Sequence, residues 1–177
     1  MSLSSSASSS TNNRLTTCLW FDGNASEAAK FYTTVFPGPN TSILQTSLFD
    51  DGPHTTDHGH EPGSVMVVEF QLHGHRFVAL NGGPKFKFNP SISFQIDCAD
   101  QSEVDYFWDA LGTKGGGEDN FCGWLRDKFG VSWQVIPRRF KELVADQRDQ
   151  GKYRRMMDAM TKMAKLDVAE LEKAVAE

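Results

Sequence analysis

The alternation of apolar and polar positions divides the chain into two similar runs. Residues 15–22 read as a strand, and Asp22-Gly23-Asn24 turns it. Asn24 is placed to cap a helix, with Glu27 three residues on. That helix carries Ala28, Phe31, Tyr32, Val35 and Phe36, an amphipathic stripe, and Phe36-Pro37-Gly38-Pro39 ends it. Strands are predicted over 42–49, 65–72 and 76–81, the last two joined at His73-Gly74. A second run opens with a strand over 91–98. Asp100 or Ser102 caps the next helix, whose stripe is Val104, Phe107, Trp108 and Leu111. Gly115-Gly116-Gly117 falls in a loop or short edge strand. Residues 122–137, CGWLRDKFGVSWQVIP, read as two strands about the turn Asp127-Lys128-Phe129-Gly130. In the second arm Val131, Trp133 and Val135 point one way and Ser132 and Gln134 the other. That polar side is small and uncharged, so it reads as a cavity wall. Equivalent strands and stripes are offset by about 75 residues.

Each run is a strand, a helix and about three strands, so the predicted class is α+β. Two modules, 14–84 and 90–137, share a domain over 14–137 and face one another across a cavity. Residues 1–13, MSLSSSASSSTNN, form a Ser-rich tail expected to be disordered. Residues 138–177 form a helical extension, with dimer contact and cavity lid both open as its role. Met156, Met160 and Met163 recur at helical spacing as flexible core filler, and Asp167 caps a last helix through Glu170.

The pleat supplies an inventory of candidate side chains. On 91–98, Ile92, Phe94 and Ile96 pack on the helix, while Ser91, Ser93, Gln95 and Asp97 face the cavity. On 65–72, Met66, Val68, Phe70 and Leu72 take the helix side and leave Val65, Val67, Glu69 and Gln71 opposite. Glu69 is the one carboxylate near the middle of a cavity row and the candidate general base, unless it is held for structure by an Arg. Phe21, Phe86, Phe88 and Trp124 are candidate aromatic walls, or plain core.

Composition narrows the classes. Net charge is −5 and the basic pairs Arg138-Arg139 and Arg154-Arg155 are short, which argues against a nucleic-acid partner. No apolar run nears the roughly 20 residues of a membrane span. The first 13 residues lack the apolar stretch of a secretory signal. Cys18, Cys98 and Cys122 are odd in number and show no CxxC spacing, which points to free thiols and the cytoplasm. Cys122 has no His with a geometric claim on it, so it reads as a packed thiol. His54, Asp57, His58 and His60 form a His-rich loop, read as a solvated surface loop, and His73 and His75 diverge about their hairpin.

Several stretches in order carry a family likeness: LWFDGNASEAAKFYTTVFP, VEFQLHGHRFVALNGGPKFKFNPSISFQIDCADQSEVDYFWDAL, CGWLRDKFGVSWQVIP and the tail MMDAMTKMAKLDVAELEKA. The chain resembles the vicinal-oxygen-chelate superfamily of glyoxalases, bleomycin-resistance proteins and extradiol dioxygenases. Within it the chain is similar to the PhnB-like, 3-demethylubiquinone-9 3-methyltransferase family, over about residues 14 to 175. The resemblance implies paired βαβββ modules and a homodimer. Methyl transfer is not expected, because the G-x-G-x-x-G loop is missing.

The superfamily places metal ligands, usually His, Gln or Glu, on the first and last strand of each module. The likeness maps those positions onto Thr17, Asn81 (Ala79 if the register slips), Ser91 and Gln134. That set holds no imidazole or carboxylate and suits a divalent transition metal poorly, so no metal and no cofactor is expected. The expected function is binding of a small organic molecule through Thr17, Phe21, Asn81, Ser91, Ser93, Gln95, Trp124 and Gln134. Metal-independent proton transfer by Glu69 would be its chemistry. The alternatives are non-catalytic sequestration, as in the drug-binding members, and a metal-dependent lyase or dioxygenase.

Overall fold

A computed structural model describes residues 14–50, 60–145 and 149–176. They separate into two units with the boundary between Lys85 and Phe86. The first unit runs β1 (Thr17–Phe21), α1 (Ala25–Val35), β2 (Ser42–Leu48), β3 (Val65–Leu72) and β4 (His75–Asn81). Its sheet has the order β1-β4-β3-β2, with β1 parallel to β4 and the other pairs antiparallel. The second runs β5 (Phe94–Cys98), α2 (Gln101–Leu111), β6 (Glu118–Asp119), β7 (Trp124–Arg126) and β8 (Ser132–Pro137). Its order, β5-β8-β7-β6 with β5 parallel to β8, repeats the first. Each unit is therefore the βαβββ arrangement that the stripes predict.

Apolar stripes build each unit locally. In the first, Ala25, Ala28, Ala29, Tyr32 and Val35 are buried on α1. Tyr32 stacks on Phe70 at 6.0 Å, and Phe70 on Phe77 at 5.0 Å. Side chains of this size each contribute about 2–3 kcal/mol when fully buried. In the second, Val104, Trp108 and Leu111 of α2 are buried, with Ile96, Leu125, Trp133 and Val135 of the sheet.

The two helices start differently. Asp100 caps α2, accepting from the Glu103 N–H at 3.0 Å, and its carboxyl is held below the ordinary range by Ser102 and that N–H. Asn24 does not cap α1, contrary to expectation. Its backbone (φ −105°, ψ 18°) is not extended, and its side chain makes no cap hydrogen bond. Asn81, at the end of β4, takes over: its Oδ1 accepts from the Ala25 N–H at 3.0 Å, and its Nδ2 donates to the Val65 carbonyl at 2.8 Å.

The strand expected over 91–98 begins only at Phe94. Pro90 has no N–H to give a ladder, and the Asn89 carboxamide accepts the Ser91 N–H at 3.0 Å, holding a turn. Ile92, expected against the helix, is consequently 75% exposed. The 122–137 hairpin turns as predicted, with Gly130 at φ 93°. Asp127, 3% exposed, organises that turn. Its Oδ1 accepts from the N–H groups of Phe129 and Val131 (2.9 and 3.1 Å), and its Oδ2 from the Trp133 indole N–H at 2.8 Å.

The extension comprises α3 (Arg138–Ala145), α4 (Gln150–Met160) and α5 (Val168–Ala176). Met156, Leu166 and Leu171 are fully buried and cluster with Ile136 of β8, and Met160 and Met163 pack on that cluster. Asp167 accepts from the Glu170 N–H at 3.1 Å, the cap read from sequence. No helix among the described residues is long and apolar enough to cross a membrane.

Candidate functional site

Alternation gives each sheet a helix-packed face and an open face. In the second sheet the face opposite α2 carries Gln95 and Asp97, Ser132, Gln134 and Ile136, Trp124 and Arg126, with Ile136 covered by the extension and the row around Gln95 and Gln134 accessible. Register places Gln95, Gln134 and Trp124 side by side on three adjacent strands, each about 4.8 Å from the next. Gln134 Nε2 donates to the Ser93 hydroxyl at 2.8 Å, and Gln95 Nε2 to Asp97 at 2.9 Å. Two carboxamides, a hydroxyl and an indole thus meet on one surface.

The charges flanking that row are paired. Arg126 donates to Glu118 at 2.6 Å, and Lys141 donates to Asp97. The bonds from Lys141 and Gln95 hold the Asp97 carboxyl below its ordinary range. The row itself has no formal charge, so it can hold an uncharged molecule by hydrogen bonds and stacking. Burial, with the Glu103 and Asp97 carboxylates acting the same way, pushes the Cys98 thiol up to about 12, leaving it protonated.

Other expected site residues are placed elsewhere. Thr17 and Phe21 share a strand face with buried Leu19, so they lie on the helix-packed side of the first sheet, as does Asn81. Matching helix stripes locates a residue along a strand, but a shift of one position reverses its face. Thr17 Oγ1 lies 3.0 Å from His75 Nε2, Phe21 is core, and Asn81 is committed to α1 and Val65. Ser91 is exposed in the turn before β5, and Phe86 is exposed as well.

Glu69 is on the open face of the first sheet, beside Gln45 and Val78 in register. It lies 3.8 Å from Arg76, with both side chains substantially exposed. Trp20 shares that face and donates to the Gly83 carbonyl at 2.8 Å. Cys18 lies there too, its thiol raised by burial. Of the His-rich loop, His60 stacks on Phe49 at 4.4 Å, while His54, Asp57 and His58 lie outside the described residues.

The superfamily's metal can be tested against these groups. Among the described residues, no three His, Cys, Asp or Glu side chains converge. Asn81 already uses both its amide groups, Thr17 pairs with His75, and Gln134 is tied to Ser93. The Asn81 oxygen is already committed to a backbone N–H, and a set of neutral oxygens such as this does not fit a divalent transition metal.

Comparison with known proteins adds the family. The 3-demethylubiquinone-9 3-methyltransferase profile matches residues 13–136. The chain belongs to that family. It is of the PhnB-like kind. A PhnB protein from Bacillus cereus carrying the same family description is 31% identical, with 70% of this chain and 98% of that one covered and a TM-score of 0.59. Protein PA1353 from Pseudomonas aeruginosa, 21% identical over 70% of this chain and 96% of its own, shares the fold at a TM-score of 0.54. No curated protein matches. The family's likeness ends at residue 136, so the tail stretch expected to match lies beyond it.

The family description implies a methyl donor, and the glycines do not fit one. S-adenosylmethionine commonly sits against a Gly-rich loop between a parallel strand and a helix. Here β1 leads into α1 through Asp22-Gly23-Asn24, and β5 into α2 through Ala99-Asp100. Gly115 and Gly117 follow α2 instead. A Cβ on them would lie 1.9 Å from the Ala110 carbonyl oxygen and 2.3 Å from that of Leu111. These glycines let backbone pack on backbone.

Proposed function

We propose that this family member binds a small, uncharged, partly aromatic molecule carrying a carbonyl or hydroxyl group. The observation behind the reading is the row Gln95–Gln134–Trp124 with Ser93 beside it. Trp124 would stack on the ring, and the carboxamides would exchange hydrogen bonds with its polar group. We give Thr17, Phe21, Asn81 and Ser91 no part in this reading. The test is a screen of neutral aromatic carbonyl and hydroxyl compounds by calorimetry, repeated on Gln134→Leu and Trp124→Ala. Binding weakened about tenfold or more in both variants supports the reading; a tight ligand indifferent to both overturns it.

Glu69 is the candidate base for metal-independent proton transfer, since it is the carboxylate on the open face of the first sheet. Its pairing with Arg76 fits a structural role as well, and non-catalytic binding is then the second reading. Turnover of a bound carbonyl compound that disappears in Glu69→Gln would decide for the catalytic reading, and binding without turnover for the second. The free thiols accord with a cytoplasmic setting. The homodimer implied by the family is checked by light scattering of the full chain.

A further inference from the structure

The row of the second sheet depends on where Trp124 stands, and Trp124 follows two residues of left-handed backbone. Cys122 has φ 60° and Gly123 φ 79°. A β-carbon makes this conformation unfavourable for Cys122, so other contacts must hold it. Those contacts come from the C-terminal extension. The Cys122 N–H donates to the Met163 carbonyl and the Gly123 N–H to the Ala164 carbonyl, both at 2.8 Å. The Gly123 carbonyl accepts from the Val135 N–H at 2.7 Å, which ties the same bend to β8.

The segment supplying those carbonyls is itself fastened to α2. Gln101 Nε2 donates to the Leu166 carbonyl at 3.2 Å, and Gln101 Oε1 accepts the Val168 N–H at 2.9 Å. Lys165 donates to Asp105. Leu166 is fully buried, and a Cβ on Gly123 would sit 3.2 Å from its Cδ1. The segment thus bears on the bend through backbone and side chain together. It lies beyond residue 136, outside the stretch matched by the family.

We infer that residues 161–167 form a positioning strap, which holds the Cys122–Gly123 bend and through it sets Trp124 in the ligand row. The extension is then a determinant of ligand affinity added to the family domain, and Leu166 and Gln101 are its positioning residues. The affinity part of this inference rests on the proposed binding function; the positioning of Trp124 does not.

The experiment uses the full-length protein labelled with 5-fluorotryptophan, with the Trp124 resonance assigned from Trp124→Phe. Leu166→Ala empties the space under the strap, Leu166→Met refills it, and Gln101→Ala removes the bonds to the Leu166 carbonyl and the Val168 N–H, together with one to Asp105, without touching the core. Amide exchange at Cys122 and Gly123 reports whether the strap has loosened. In Leu166→Ala and Gln101→Ala, faster exchange there should accompany a shifted or broadened Trp124 fluorine signal. Trp20, Trp108 and Trp133 should keep theirs, and Leu166→Met should restore Trp124. With 2-naphthol as the neutral aromatic probe, affinity should fall about five- to tenfold in the loosened variants. If exchange accelerates while the Trp124 signal stays as in the parent, the strap does not position Trp124 and the inference fails. If Leu166→Ala does not fold, Gln101→Ala decides alone. If the parent does not bind 2-naphthol while the Trp124 signal responds as expected, the strap stands and the binding reading loses its support.

Discussion

Asn81 uses its carboxamide twice, accepting the Ala25 N–H and donating to the Val65 carbonyl, in a setting only 4% exposed. Removing it takes a partner from the buried Ala25 N–H and from the partly buried Val65 carbonyl. Asn81→Ala should therefore destabilise the protein by about 2–3 kcal/mol, read from urea unfolding. A loss below about 0.5 kcal/mol would mean that water or Asn24 replaces it. Asp127 is the parallel case in the second unit. Both its oxygens face N–H donors, so Asp127→Asn must turn an amide NH2 toward one of them. We expect a cost of about 2 kcal/mol and an altered near-ultraviolet circular dichroism signal from Trp133. Neither role was legible from the residues alone. Asn24 satisfied the local capping pattern, and nothing in a sequence shows that a side chain 56 residues from Ala25 reaches the first N–H of the helix. Asp127 looked like an ordinary turn residue because burial is a tertiary property.

At the scale of elements, the two helix stripes and the pleat of β8 were readable because each is a short-range period set by backbone geometry. That Gln95 and Gln134 lie opposite the buried positions of their strands was readable for the same reason; their alignment with Trp124 was not. Thr17 was not, since β1 has only five residues and its face rests on Leu19 and Phe21 being core. The start of β5 failed for a local reason, the Asn89-Pro90-Ser91 turn. One glycine also fixes an element to its neighbour: a Cβ on Gly82 would lie 2.2 Å from the Trp20 ring. Gly82→Ala should push that indole off the Gly83 carbonyl and shift its fluorescence to the red as it meets water. A fluorescence spectrum unchanged from the parent would show that the chain moves instead of the ring.

At the scale of the molecule, acid should release the C-terminal extension from the rest of the second unit. Lys141 of α3 holds Asp97 of β5, and Lys165 holds Asp105 of α2. Each lysine's hydrogen bond is the main reason that its carboxyl stays below the ordinary range. A carboxyl lowered in the folded state adds stability that is complete above its unfolded pKa, about 3.9, and is lost as pH falls through the lower folded value. Both pairs are exposed to solvent, so their contributions are small, about 0.2–1 kcal/mol each. That is still enough to change local opening, because the extension's own cluster around Met156, Leu166 and Leu171 is modest in size. Hydrogen-exchange protection factors over α4 and α5 should therefore fall several-fold between pH 6 and pH 3, while those of β3 and β4 change little. At pH 6, about 1 M salt should give part of the same loss by screening the two pairs. Equal loss in both regions would show general acid unfolding, and no loss in α4 and α5 would show that apolar packing alone seats the extension.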